Sequence, residues 1–434
     1  MRLTCVASAL LLACSSQPAS NPAKSPQAGA SGTGDGGGAS GQSSTPSAGA
    51  GAAATAGAAA GATSGGAGNS SSAGSGGAKP FEPPKCAAEN SKLPDNAPVL
   101  ETGVWKKITP PGLPSGSFAQ GIALDPCNPA TLYATFSGYN DAGNVNAGLF
   151  RTTDAGTTWR ELGVFEQALN IRVDPRDPLH LYVGDGVRGG TNGFWVSKDG
   201  GATWFMPDGF KKMADSLQDY DVYHVEPDPA DFNHVLVTFH YYWNGGLNAG
   251  IIESFDEGAT WIKHEPDPGW EGTGGYNVFF LYEPAQGIGD NKTWLYGTQG
   301  NGYWRTKDAG TTWTKVTDVD MQHGGGTLYY TSKGVLYTGG NPHALRSTDN
   351  GVTWTELSVF GGFLSVKGDG TRLYAGSIIG PIPILSALES DDSTWTPSTQ
   401  MFEGGPFEMA YDKANHRMYA GMTAEGIWVL KTAD

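Results

Sequence analysis

The chain reads as an all-β repeat protein, and three observations predict it. An eight-residue pattern, Ser/Thr-x-Asp-x-Gly-x-Thr-Trp, stands complete five times in 434 residues. Between the copies lie short apolar runs bounded by Gly, Pro and Asp, at a spacing that suits strands and turns. Segments with a helical period are nearly absent, residues 211–217 being one short surface turn at most. Self-similarity at a regular spacing sets an architecture before any single residue does.

The complete copies begin at Thr152, Ser197, Ser254, Thr306 and Ser347 and end at Trp159, Trp204, Trp261, Trp313 and Trp354. A shortened copy reads Ser390-Asp-Asp-Ser-Thr-Trp395. The aspartates Asp154, Asp199, Asp256, Asp308 and Asp349 read as structural. An Asp side chain bonds backbone two residues on and closes a tight turn. The Gly supplies a positive φ where a side chain would clash. Thr and Trp then start a strand, the indole lying over the turn. Each copy is thus strand, Asp turn, strand.

This pattern resembles the Asp-box, or BNR, repeat of sialidase-like β-propellers, over residues 101–434. It is also similar to the repeats of xyloglucan-cleaving endoglucanases, sortilin-type receptors and photosystem assembly propellers. The motif specifies the fold and leaves the function open. The two ends of the chain set the blade count. Lys431-Thr-Ala-Asp434 matches Arg151-Thr-Thr-Asp154, and Thr102-Gly-Val-Trp105 matches the second half of the pattern. A seventh box is therefore split between the termini, and the N-terminal strand closes the ring. The resemblance implies a seven-bladed β-propeller of four-stranded antiparallel blades spanning 102–434.

In chain order, residues 1–14 read as an export signal. Arg2 precedes a short apolar run, far below the ~20 residues of a membrane span. Leu11-Leu12-Ala13-Cys14 resembles a bacterial lipobox, which implies lipidation at Cys14 and outer-membrane or cell-surface anchoring. The alternative is an ordinary secretory signal cut elsewhere. Residues 15–79 are almost wholly Gly, Ala, Ser, Thr and Pro. Such a segment buries too little apolar surface to offset its ordering entropy and reads as a disordered tether. Residues 80–101 are a Pro-rich lead-in carrying Cys86. Cys127, in Asp125-Pro-Cys-Asn-Pro129, belongs on the same face as the Asp turns, where the chain enters the ring. An exported protein permits a Cys86–Cys127 disulfide; two free thiols are the alternative.

The net charge of −16 excludes a basic nucleic-acid footprint and disfavours polyanionic glycans. In the family this chain resembles, ligands bind on the loop face opposite the Asp boxes. The loops here are unequal, the long ones being 137–146, 185–192, 208–221, 240–248, 265–276, 318–325 and 400–406. They hold the aromatics Tyr139, Tyr241, Tyr242, Trp243, Trp270, Tyr276 and Phe402. They also hold Asp141, Asp185, Asp215, Asp219, Asp221, Glu271, Asp320 and Glu403. Aromatic faces beside acids suit sugar rings; the bland alternative is that these aromatics pack loop against loop. The expected ligand-binding set is Tyr139, Arg188, Tyr242, Trp243, Trp270, Glu271, His323 and Glu403. His240, His323 and His343 have no metal-ligand spacing, and no metal or cofactor is expected.

Sialidase activity is disfavoured. Sialidases hold a carboxylate with three arginines, and here Arg188 alone falls in a loop of that face. The first blade is a closer match to xyloglucan-cleaving endoglucanases, through Phe118-Ala-Gln-Gly-Ile-Ala-Leu-Asp-Pro126 and Leu132-Tyr-Ala134. Their Asp three residues after Tyr-Ala is Ser137 here, which leaves Asp141 as the catalytic candidate. Their second acid comes from a second propeller, and no partner for Asp141 stands out. The expected function is an exported, surface-anchored, monomeric propeller that binds a glycan, acting on a neutral polysaccharide if catalytic. The alternative is a non-catalytic scaffold for a protein partner in the envelope.

Overall fold

The computed structural model describes residues 92–433 apart from 115, 141–142, 145–146, 164, 188, 241, 247, 271–275, 283–290, 322–326 and 379. Seven antiparallel sheets form seven blades of a β-propeller. Blade one comprises Ser117–Leu124, Leu132–Asn140, Gly148–Thr152 and Arg160–Glu161. Blade three comprises Val222–Asp228, Asp231–Phe239, Ile251–Ser254 and Ile262–His264. Blades four, five and six repeat the pattern from Asn277, Tyr329 and Phe363. The first strands of blades five, six, seven, one, two, three and four pack in succession around the ring's centre. Seven blades arise because the chain repeats one unit that cannot bury its own faces alone.

Blade seven bears out closure of the ring by the N-terminal strand. Pro406–Asp412, Arg417–Met422 and Gly426–Lys431 are completed by Trp105–Lys107 from the other end of the chain. Trp105 pairs with Leu430 and Lys107 with Trp428. Trp105 is buried and meets Phe402 edge to face at 6.2 Å. Backbone pairing between the chain ends removes the sheet edge that an open ring would expose.

The five complete repeats share one hydrogen-bond scheme. The Ser or Thr hydroxyl donates to the Asp Oδ1 at 2.7–2.9 Å. The Thr four residues after the Asp donates its N–H to Oδ1 at 2.7–2.9 Å and its hydroxyl to Oδ2 at 2.6–2.7 Å. The carboxylate therefore reaches four residues on, where a reach of two is the local expectation. It spans a wider turn whose Gly has φ between 77° and 96°. In three repeats the Trp indole N–H donates back to the Gly carbonyl, as from Trp204 to Gly201 at 3.1 Å. That bond places the ring over the turn and buries part of its face.

Blade two departs from the plan. It has three strands, Ala168–Val173, Leu181–Asp185 and Gly193–Ser197, and its fourth position is a single bridge from Val196 to Phe205. The chain then enters α1, Asp208–Leu217, longer than the surface turn expected at 211–217. Phe210, Ala214 and Leu217 recur at helical spacing and are buried. Phe210 meets Phe194 at 5.9 Å and Trp261 at 6.0 Å, so the helix covers the edge that a fourth strand would pair. Gln218 ends α1 in the left-handed region, its N–H bonding the Ala214 and Asp215 carbonyls.

Candidate functional site

Antiparallel connectivity puts the loops between second and third strands on the face opposite the Asp turns. Between blades two and three that face carries a compact acid cluster. Asp185 ends the second strand of blade two and is fully buried. Its Oδ2 accepts from the Thr191 hydroxyl at 3.1 Å and the Gln167 N–H at 3.3 Å. Asp219 follows α1 and is buried, with Oδ1 accepting from the Asp221 N–H at 2.8 Å. Asp221 accepts from the Val187 N–H and faces His240 Nδ1 at 3.2 Å. Tyr223 stacks on the His240 ring at 5.4 Å.

Two of the oxygens in this cluster, Asp185 Oδ1 and Asp219 Oδ2, are buried without a hydrogen-bond partner. Burial pushes the Asp185 carboxyl up to about 7, with the neighbouring Asp221 charge adding to the rise. Burial and then the Asp221 charge push Asp219 up to about 8. Gly186 makes the close approach possible. A Cβ there would lie 2.3 Å from the Val222 carbonyl oxygen and 2.5 Å from Asp221 Oδ1. Among the described residues no group of three or more His, Cys, Asp or Glu side chains is arranged to hold a metal ion.

A second polar cluster fills the ring's centre. Arg172 donates to Glu408 Oε1 at 3.2 Å and lies 3.7 Å from Glu226. It also meets His224 Nε2 at 2.9 Å, and burial holds that imidazole below its ordinary pKa. Glu408 takes its second bond from the Ile122 N–H at 3.1 Å. The pair separates a cavity of about 30 Å³ on the loop side from one of about 280 Å³ on the Asp-turn side. Lys367 lines the larger cavity over the Tyr329 ring at 5.5 Å, with burial lowering its pKa. Cross-channel pairing of blades two and seven reads as a structural clasp. The sequence carried a faint sign of it, charges inside otherwise apolar inner strands at Arg172, Glu226 and Glu408.

Several expected ligand contacts lie elsewhere. Trp243 is 5% exposed and meets Phe239 edge to face at 5.5 Å. Trp270 is fully buried, 4.2 Å from the Tyr296 ring and 5.0 Å from Trp313. Both are core residues, which corrects their assignment as sugar platforms. A neighbouring glycine admits the Trp243 ring: a Cβ on Gly250 would lie 2.7 Å from it. Tyr276 and Phe402 are buried as well. Tyr242 is half-buried, and Glu403 is exposed, its N–H donating to Glu425 at 2.8 Å. Tyr139 lies on the Leu132–Asn140 strand opposite Asn144. Asp141, Arg188, Glu271, His323, Cys14 and Cys86 lie outside the described residues. Cys127 is disulfide-bonded, its partner also outside them.

No family model matches the sequence. A xyloglucanase of a Paenibacillus species is 27% identical over 291 residues, covering 57% of this chain and 27% of that protein. A xyloglucanase of Hypocrea jecorina is 25% identical over 288 residues, covering 54% and 32%. Xyloglucanase Xgh74A of Acetivibrio thermocellus is 31% identical over 181 residues, covering 32% and 20%. The chain thus spans a third or less of these relatives. Among solved structures, the GH74 xyloglucanase of Xanthomonas campestris superposes with a TM-score of 0.55 at 18% identity, covering 76% of this chain and 53% of that one. YCF48 of Cyanidioschyzon merolae superposes at 0.51 and 12% identity, covering 76% and 98%. These structural likenesses are likenesses of fold, a β-propeller.

Proposed function

We propose that this propeller binds a neutral polysaccharide of the xyloglucan type across its loop face and cleaves it as a glycoside hydrolase. One observation carries the reading: the similarity to a xyloglucanase runs through 57% of the chain. The acidic balance and the carboxyls gathered on the loop face accord with a neutral, hydroxyl-rich ligand. Asp141 is the proposed catalytic acid, and Tyr139, Arg188, Tyr242, Glu271, His323 and Glu403 are the proposed contacts. The repeated turns are proposed to be Asp boxes of the BNR type. Lipidation at Cys14 and the 15–79 tether would hold the ring at the outer membrane or cell surface.

The test uses the purified full chain with xyloglucan, other neutral glucans and an anionic control. Retardation in xyloglucan-containing native gels, with reducing ends released by wild type and abolished in Asp141→Asn, is the expected result. Absence of both retardation and release across the panel would overturn the reading. A second reading, a scaffold for a protein partner, is favoured by the burial of Trp243, Trp270, Tyr276 and Phe402, which removes the main stacking platform from the loop face.

A further inference from the structure

We infer that Asp185, Asp219 and Asp221 form a charge-operated latch between the 185–187 and 218–222 segments of the loop face. The segments stay packed while Asp185 and Asp219 hold protons and separate when both carboxyls are ionised. The latch is a property of the chain itself. Its bearing on polysaccharide rests on the function proposed above.

The geometry sets the terms. Asp221 is ringed by the other members of the cluster, and its two oxygens are committed to the Val187 N–H and to His240. Asp185 and Asp219 each spend one oxygen on donors and keep the other buried and unpartnered. A buried carboxylate oxygen without a donor is costly, and two such beside a third charge are more so. The surrounding titratable groups offer little relief. Glu166 sits under the same loop at the Gly190 N–H, and Tyr223 stacks on His240. Asp215 faces Tyr220 at 2.9 Å on the outer side of α1. Among the described residues no lysine or arginine pairs with any of the three carboxyls, and His240 alone supplies a basic group. The backbone joining the segments is close-packed, since Gly186 leaves no room for a Cβ between them. Relief therefore comes from movement of the segments and entry of water.

The direction follows from proton linkage. The closed form holds its protons up to about 7 at Asp185 and about 8 at Asp219. In an open, hydrated form both would return to ordinary aspartate values near 4. Raising the pH through that interval therefore favours the open form, by up to about tenfold per pH unit for each group concerned. The effect levels off above the closed-form values. A loop face that is ordered in mildly acidic surroundings and loosened in alkaline ones is the consequence.

Hydrogen exchange followed by mass spectrometry on the full chain, corrected for intrinsic exchange, tests this from pH 5 to 9. Peptides covering 183–187 and 219–223 should lose tenfold or more of their protection between pH 6 and 9. Gly426–Lys431 in blade seven should keep its protection. The double variant Asp185→Asn/Asp219→Asn, which keeps shape and removes charge, should be flat. Unchanged protection in wild type, or the same loss in the double variant, would overturn the latch. Should that variant fail to fold, carbon-13 titration of the wild-type Asp carboxyls decides: two carboxyls titrating above pH 6 support it, and fewer than two doing so refute it. Failure of xyloglucan binding with the pH-dependent exchange intact would sink the proposed function and leave the latch standing.

Discussion

Trp270 separates the two uses that a loop tryptophan can have. Sequence context, with Gly and Asn around it, suggests an exposed platform; the structure buries it completely between Tyr296 and Trp313. A Trp side chain removes roughly 150–250 Å² from water, or about 4–6 kcal/mol at 25 cal/mol per Å² as an upper bound. Truncation also leaves a cavity that neighbours fill only in part, and measured Trp→Ala costs in cores run about 3–5 kcal/mol. Trp270→Ala should therefore lower the unfolding free energy by about 4 kcal/mol in urea titrations followed by tryptophan fluorescence. Trp270→Phe should cost about half as much, because most of the packing survives.

A platform residue would behave in the opposite way. Its removal would cost under about 1 kcal/mol, as for surface substitutions generally, and would abolish polysaccharide retention. The same two measurements on one variant thus decide the matter. A small stability change with lost binding would refute the core assignment.

The other predictions concern charges and the disulfide. Burial pushes the turn carboxyls up, but hydrogen bonds from Ser and Thr together outweigh it and hold all five below the ordinary Asp value, to about 2 at Asp308. A lowered folded pKa contributes stability that is present above pH 4 and lost as pH falls toward 2, so circular dichroism should show cooperative acid unfolding in that window, blunted by Asp154→Asn. Arg172→Met leaves Glu226 and Glu408 facing each other across the channel and should cost roughly 3 kcal/mol; adding Glu408→Gln should recover part of it, and strict additivity would refute the clasp. Peptide mapping without reductant is expected to find Cys127 joined to Cys86, and a free Cys86 thiol would refute that pairing.

The fold was legible because the repeat carries its own physics. A carboxylate that needs three donors in fixed positions dictates Ser/Thr before it and Thr after it, and that constraint survives in the sequence five times over. Ring closure was legible for the same reason, since half a repeat at each end has nothing else to pair with. Blade two was not. Its outer strand fails after Phe205, and the apolar stripe Phe210, Ala214 and Leu217 is too short to announce a covering helix. The site was legible in composition and not in position. Asp185, Asp219 and Asp221 stood out as loop acids, but their convergence depends on Gly186, whose role is visible only once two segments are seen to touch.

Burial of the aromatics and clustering of the acids have a common origin. The loops joining second and third strands, and those joining one blade to the next, start from the ends of a twisted ring, and their apolar side chains turn back toward the blades. Trp243 and Trp270 take that route and stiffen the loops from beneath. What remains toward solvent is the polar part of each loop, and between blades two and three α1 holds that part in place through Phe210 and Leu217. The cost is borne by the acids, which are pressed together with two oxygens unpartnered. A face built this way binds by hydrogen bonding more than by stacking. Its affinity for a neutral polysaccharide should therefore respond to substitution of Asp221 and to pH more sharply than to loss of any single aromatic ring.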